Sequence, residues 1–253
     1  MKISIQHVLC GLIFVCLRIT PMHGQKVISD RPDQTESAFT CPPNFVQLEC
    51  GASVKWTESF SSGTERELVL PTALIRVGVL PSLELRVMHQ LTQWKYNSDL
   101  VDNSLMSGTD DLELGLKWQV LNKKTQMVLL SHIAVNTGTN SSEEWRIINK
   151  WCISHNLEGD WSIGYNLGFD LIDGLAEYTY AFSVGKAIDS KVSWYIEPYG
   201  TLDENGLFYG NIDAGFMWLV NERFQIDWSF GIGKKQRMNY SAMGFSWLIG
   251  EAK

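Results

Sequence analysis

An enzyme that uses an alcohol nucleophile needs a base beside it and a third group that orients the base. In this 253-residue chain the best local candidate for such a set is Ser154-His155-Asn156. Adjacency defeats it. Consecutive side chains on an extended strand point to opposite faces, so Ser154 and His155 cannot make the required hydrogen bond. Ser131-His132 fails for the same reason, and no Gly-x-Ser-x-Gly elbow follows. The five histidines are scattered, and no cysteine-histidine cluster has the spacing of metal ligands. The sequence therefore assigns no catalytic residue, no metal and no cofactor.

What remains is a set of charges placed among apolar residues at every second position: Glu49, Lys55, Arg76, Glu84, Arg86, Glu113, Lys117, Glu177, Glu197, Asp213 and Asp227. Both signs are present. On one shared surface they can form cross-strand ion pairs, or they can bias the passage of charged solutes. Charges held away from bulk water are costly unless paired, which favours pairing.

The elements that carry them are strands. Leu112, Leu114, Leu116, Trp118 and Val120 interleave with Asp111, Glu113, Gly115, Lys117 and Gln119, which puts an apolar and a polar face on one extended segment. Trp161 to Asp170, Phe224 to Gly233, Glu177 to Gly185 and Val46 to Trp56 repeat the pattern. The two-residue period predicts twelve strands, near 44–57, 66–80, 83–95, 111–121, 125–136, 146–155, 161–170, 175–186, 191–200, 207–220, 223–233 and 239–249. Several reach the roughly 9 to 11 residues with which a tilted strand crosses a bilayer, where strands of water-soluble sheets average about 5 to 6.

Connections sort the ends. Pro81-Ser82, Asn122 to Lys124, Leu157 to Asp160, Ala187 to Ser190 and Asn221-Glu222 are short, and they alternate with longer links at 58–65, 96–110, 137–145, 171–174, 201–206 and 234–238. That alternation predicts an all-β fold, a transmembrane antiparallel up-and-down β-barrel of about twelve strands, with short turns and both termini in the periplasm of a bacterial outer membrane. In such a barrel the apolar face meets lipid and the charged face lines the lumen. Trp56 and Trp94 then fall near outer strand ends, and Trp118, Trp161, Trp194 and Trp218 near inner ends, as two aromatic girdles require.

The start of the chain reads as an address. Lys2 leads into the apolar run Val8 to Leu17, and Gly24 offers a small residue for cleavage, which predicts a secretory signal peptide over 1–24. Its removal deletes two positive charges from a chain whose formal net charge is already −7, and an acidic product is a poor nucleic-acid ligand. Export leaves Cys41, Cys50 and Cys152. Cys41 and Cys50 could close a small loop, or each could fill a small apolar site.

Residues 25–43 form a polar segment ahead of the barrel, which occupies 44–253. It carries Asp30, Arg31, Asp33 and Glu36 and is broken by Pro32. It is either a periplasmic tether or a plug inside the lumen, with Arg31 paired to an inward carboxylate such as Glu49 or Glu84.

The run Ser29-Asp30-Arg31-Pro32-Asp33-Gln34-Thr35-Glu36-Ser37, followed by Gln47-Leu48-Glu49 and Gly51, resembles the opening of outer-membrane transporters of the meta-pathway of phenol degradation. Leu74 to Gly78, Leu83 to Arg86, Gly115 to Lys117, Tyr165 to Gly168, Glu197 to Gly200 and Gly244 to Ser246 resemble that family's later strands. The resemblance implies a barrel in contact with outer-membrane lipid, passing small solutes, hydrophobic or aromatic ones among them, and it carries over no catalytic residue. The alternative expectation is a closed barrel that serves as a structural or assembly partner in an envelope complex, its loops at 96–110 and 137–145 binding another protein.

Overall fold

Thirteen strands follow one another along the chain: β1 (Phe45–Ser59), β2 (Gly63–Leu80), β3 (Leu83–Ser98), β4 (Leu105–Thr109), β5 (Leu112–Asn122), β6 (Thr125–Val135), β7 (Arg146–Asn156), β8 (Trp161–Ile172), β9 (Leu175–Ala187), β10 (Val192–Leu202), β11 (Phe208–Asn221), β12 (Phe224–Gly233) and β13 (Met238–Gly250). The computed structural model describes residues 26–59, 63–98, 105–140, 145–172, 174–235 and 237–251, so the expected signal peptide lies outside the described residues. Every pairing is antiparallel between neighbours, and β1 also pairs with β13 from Phe45↔Gly250 to Thr57↔Met238, which closes the sheet.

Closure counts twelve, not thirteen. β5 pairs with the first half of β3, at Leu83 to Met88, and β4 pairs with the second half, at Leu91 to Lys95. The two therefore share one position in the wall, interrupted at Asp110-Asp111. A closed ring leaves no strand edge exposed, which is what hydrocarbon demands of a spanning sheet.

The twelve predicted strands are recovered nearly residue for residue. The exception is the expected loop at 96–110, where β3 runs on to Ser98 and β4 adds residues 105–109. Likewise β1 and β2 extend into 58–65. These extensions carry polar residues on both faces, as in Thr64, Glu65, Tyr96 and Asn97, and so lose the alternation that marks the rest.

The faces are inverted relative to a water-soluble protein. Leu116 is 49% exposed and Trp218 51%, while Lys117 and Glu197 are 0% exposed. Trp161 and Trp194 sit edge to face on the outer surface with Lys186 over the Trp161 ring, an aromatic and cationic rim near the short-turn end. Trp94 departs from the expected outer girdle. It stands opposite Glu67, which in turn faces Lys55, so it shares the inner face with that ion pair.

Cys41 and Cys50 are both free thiols. Cys41 packs inside with Val27, Phe45 and Leu248, whereas Cys50 looks outward beside Leu70, Phe224 and Phe245. The wall between them prevents a disulfide. Cys152 takes the other bland role considered for it, packing against Val128 and Leu130 on the inner face.

Candidate functional site

Residues 26–44 run inside the ring. The segment is tied at the termini end, where Val27 N donates to Glu222 O and Asn44 N donates to Gly78 O. Between those ties, wall carboxylates take up its backbone: Asp30 N donates to Glu49, Gln34 N to Glu197 Oε2 at 2.7 Å, and Cys41 N to Glu84 Oε2 at 2.5 Å. A carboxylate accepting a backbone N–H makes a charge-assisted bond, roughly twice as strong as a neutral one.

On the β2, β3 and β5 side, the segment meets cations. The Asp30 carboxylate accepts from Lys117 Nζ at 2.8 Å and from Arg86 Nη1, with Arg76 Nη1 at 3.2 Å. Burial alone would raise this carboxyl, but Arg76, Lys117 and Arg86 outweigh it and hold it well below the usual carboxylate range. Glu36 binds Arg86 Nη2 at 2.9 Å. Arg76 spends all five donors: Nε and Nη2 on Glu84 at 2.8 and 2.9 Å, Nη1 on Glu49 and the Ile28 carbonyl at 2.8 Å each, and Nη2 again on the Phe39 carbonyl at 3.1 Å. Seven of the charges picked out in the sequence, Asp30, Glu36, Glu49, Arg76, Glu84, Arg86 and Lys117, thus belong to one network.

The opposite side is acidic. Arg31 crosses to Asp227 on β12, with Nε at 3.2 Å and Nη2 at 3.0 Å from its two oxygens. This corrects the expected pairing of Arg31 with Glu49 or Glu84, both of which Arg76 already engages. The reason is space: Gly51 and Gly244 face each other across β1 and β13, and a side chain on either would overlap the Arg31 guanidinium. The two glycines make a slot that leads Arg31 to Asp227.

Further along the same side, Glu197 and Asp213 stand directly opposite each other on β10 and β11. Glu197 accepts from the Thr35 hydroxyl, and Asp213 from the Tyr240 hydroxyl. Asp33 lies beside this pair. Burial, together with the Glu197 and Asp213 charges, pushes its carboxyl well above the ordinary value. A raised carboxyl contributes stability that is intact below the ordinary carboxylate range and is lost as pH rises through the raised value. Asp33→Asn is therefore expected to raise the heat-denaturation midpoint, with the gain larger at about pH 8 than at about pH 5. Equal midpoints at both pH values would refute this.

The remaining predicted residues lie nearer the long-loop end. Glu113 contacts His132 Nδ1 at 3.2 Å and Arg146 at 3.8 Å, and Lys55 pairs with Glu67 at 2.6 Å. Glu177 faces Asp170 across β8 and β9 and joins neither cluster. Near the same end a cavity of about 180 Å³ is lined in part by Gln90, Asp110, Glu113, Asn140 and Arg146. Ser154 lies on the inner parity of β7, while His155, on the other, contacts Thr125 and Tyr165.

Sequence reasoning missed the uncharged half of the lumen. His132 accepts from Arg86 Nε at 2.9 Å; Gln47 bridges Glu49 and the Ile28 carbonyl; Gln119 holds the Ala38 carbonyl at 2.8 Å. Their parity on β1, β5 and β6 is the same as that of Glu49, Lys117 and Ala134, and parity alone would have found them.

Residues 29–247 match the family described as "Putative MetA-pathway of phenol degradation". The chain belongs to that family. By sequence, no curated protein matches it. Among solved structures, the COG4313 outer membrane channel from Pseudomonas putida F1 is similar at a TM-score of 0.69 and 11% identity, covering 87% of this chain and 99% of that one. The KdgM porin in complex with disordered oligogalacturonate gives 0.54 at 10% identity, over 79% of this chain and 98% of that one. The translocator domain of the autotransporter NalP from Neisseria meningitidis gives 0.56 at 11% identity, over 81% and 88%. Identities this low speak for the shared barrel fold and nothing finer.

Proposed function

We propose that this family member is an outer-membrane channel through which small solutes pass, with residues 26–44 as its plug and both termini in the periplasm. One observation carries the reading: the inner wall is polar and charged, and what fills it is a tethered segment held by side chains. Among the described residues, no backbone-to-backbone hydrogen bond joins positions 28–41 to the wall. A barrel built only to be a closed strut fills its interior with its own packed side chains. A filling that depends on ion pairs and carboxylate acceptors can leave without unravelling a single strand pairing.

The family's link to phenol degradation, and the fact that two structural neighbours are an outer membrane channel and a porin, support passage of small molecules. Orientation follows the barrel rule that short turns face the periplasm and longer links face outward. The cavity near Arg146 is then the outer vestibule. Enzymatic activity is not part of this reading.

Planar-bilayer recording tests it. Deleting residues 26–40 is expected to raise single-channel conductance several-fold while the barrel still shows its folded mobility on unheated gels. Unchanged conductance would remove the plug from the proposal. A barrel that neither conducts nor accelerates solute flux in liposomes, with or without the segment, would instead be a structural partner of other envelope proteins.

A further inference from the structure

Three cations converge on one carboxylate that is not part of the wall. Lys117 Nζ reaches both oxygens of Asp30, at 2.8 and 3.0 Å, while Arg86 and Arg76 share its Oδ2. The three come from β5, β3 and β2, three neighbouring positions in the ring, and all are 2% exposed or less. Asp30 is delivered to them by the amino-terminal segment and not by a strand of the wall. Among charged partners within ion-pairing distance, Lys117 has Asp30 and, at 3.9 Å, Glu36, both on the segment.

Consider the wall once the segment is withdrawn. Arg76 keeps Glu84 and Glu49. Arg86 keeps only Glu84 at 3.1 Å and the His132 ring, and Lys117 keeps no ion-pair partner among the described residues. Three cations then face two carboxylates, and the uncompensated charge sits at Lys117 and Arg86. Buried charge of one sign without a partner is costly, so the site demands an anion. The fork of Arg86 beside the point charge of Lys117 suits a planar carboxylate.

We propose that Arg76, Arg86 and Lys117 form a carboxylate-binding site for the transported solute, and that Asp30 occupies it at rest as a tethered substitute. The proposal rests on the channel reading and names its substrate class: small organic carboxylates. Tethering gives Asp30 a high effective concentration, of order millimolar for a short flexible link, so a free carboxylate competes only when abundant or when the segment is drawn out. Loops, rim and apolar outer face play no part in this choice.

The site can be probed without transport. In Asp30→Ala the carboxylate is gone but the segment remains. Acetate is expected to raise the heat-denaturation midpoint of Asp30→Ala above that in chloride of equal ionic strength, to leave wild type unmoved, and to have no effect on Asp30→Ala/Lys117→Met. If Asp30→Ala does not fold, Asp30→Asn with the same salts replaces it. The absence of any acetate-specific stabilisation overturns the proposal.

A second arm uses the chain lacking residues 26–40. Benzoate should block its current in a saturable way, with benzyl alcohol as the neutral control. Lys117→Met in that background should weaken the block at least about tenfold, as expected for one lost charge-assisted bond. If the shortened chain conducts but benzoate and benzyl alcohol act alike, the carboxylate site is refuted and the channel stands. If acetate rescue succeeds while no form conducts, the site stands and the channel reading fails.

Discussion

Arg76→Met is expected to be the most damaging single substitution in the wall, costing about 3 to 5 kcal/mol of stability, because it strands buried carboxylates rather than merely deleting a bond. Glu49 and Glu84 are 2% and 0% exposed, and each gives at least one oxygen to Arg76 at 2.8 Å. Methionine matches the length of the arginine stem and leaves both acids facing each other across its thioether. The Phe39 carbonyl also loses its donor, and the Ile28 carbonyl keeps only Gln47, so the segment loosens at two points. Urea unfolding in detergent followed by tryptophan fluorescence measures the loss. The triple variant Arg76→Met/Glu49→Gln/Glu84→Gln should recover much of it, since neutral amides remove the stranded charge. A triple variant no better than the single one would mean that packing, and not charge, explains the damage.

Gly78→Ala should do the opposite kind of harm, opening the lumen while leaving the ring intact. Gly78 lies on the inner parity of β2, and a methyl there would overlap the carbonyl of Pro42 and press within 2.5 Å of the Cys41 carbonyl oxygen. Backbone cannot rotate away as a side chain can. The methyl is expected to cost about 1 to 3 kcal/mol of local overpacking, borne by the segment because the strand is held on both sides. Conductance should therefore rise toward that of the chain lacking residues 26–40, with heat mobility on gels unchanged. Wild-type conductance in Gly78→Ala would show that the segment can shift at Pro42 and keep its seat.

The ring was legible because lipid enforces a two-residue period wherever a strand crosses it. Leu112 to Val120 and Phe224 to Gly233 read as strands from sequence and fold as β5 and β12. Beyond the bilayer that constraint lapses. β4 and the far end of β3 carry residues such as Ser107 and Asn97, whose pattern satisfies water on either face, and they read as loop. The inward charges were legible for the same reason as the strands, but their partners were not. Which carboxylate takes Arg31 depends on Gly51 and Gly244 meeting across β1 and β13, nearly two hundred positions apart in the chain, and no local pattern encodes that meeting. Trp94 failed for a different reason: its height along the strand was right, but it has the same parity as Glu84 and Arg86 on an unbulged β3, and that parity already put it on the inner face.

The slot that holds Arg31 has a consequence for how the molecule is made. Its floor is one glycine from the first strand and one from the last, and its far wall is Asp227 on the strand before the last. Gly244 and Asp227 already stand opposite each other in the β12–β13 hairpin, but Gly51 joins them only when the two ends of the sheet meet. The segment that precedes the first strand thus finds its seat last, and an occupied slot is a record that the seam has been sewn in the correct register.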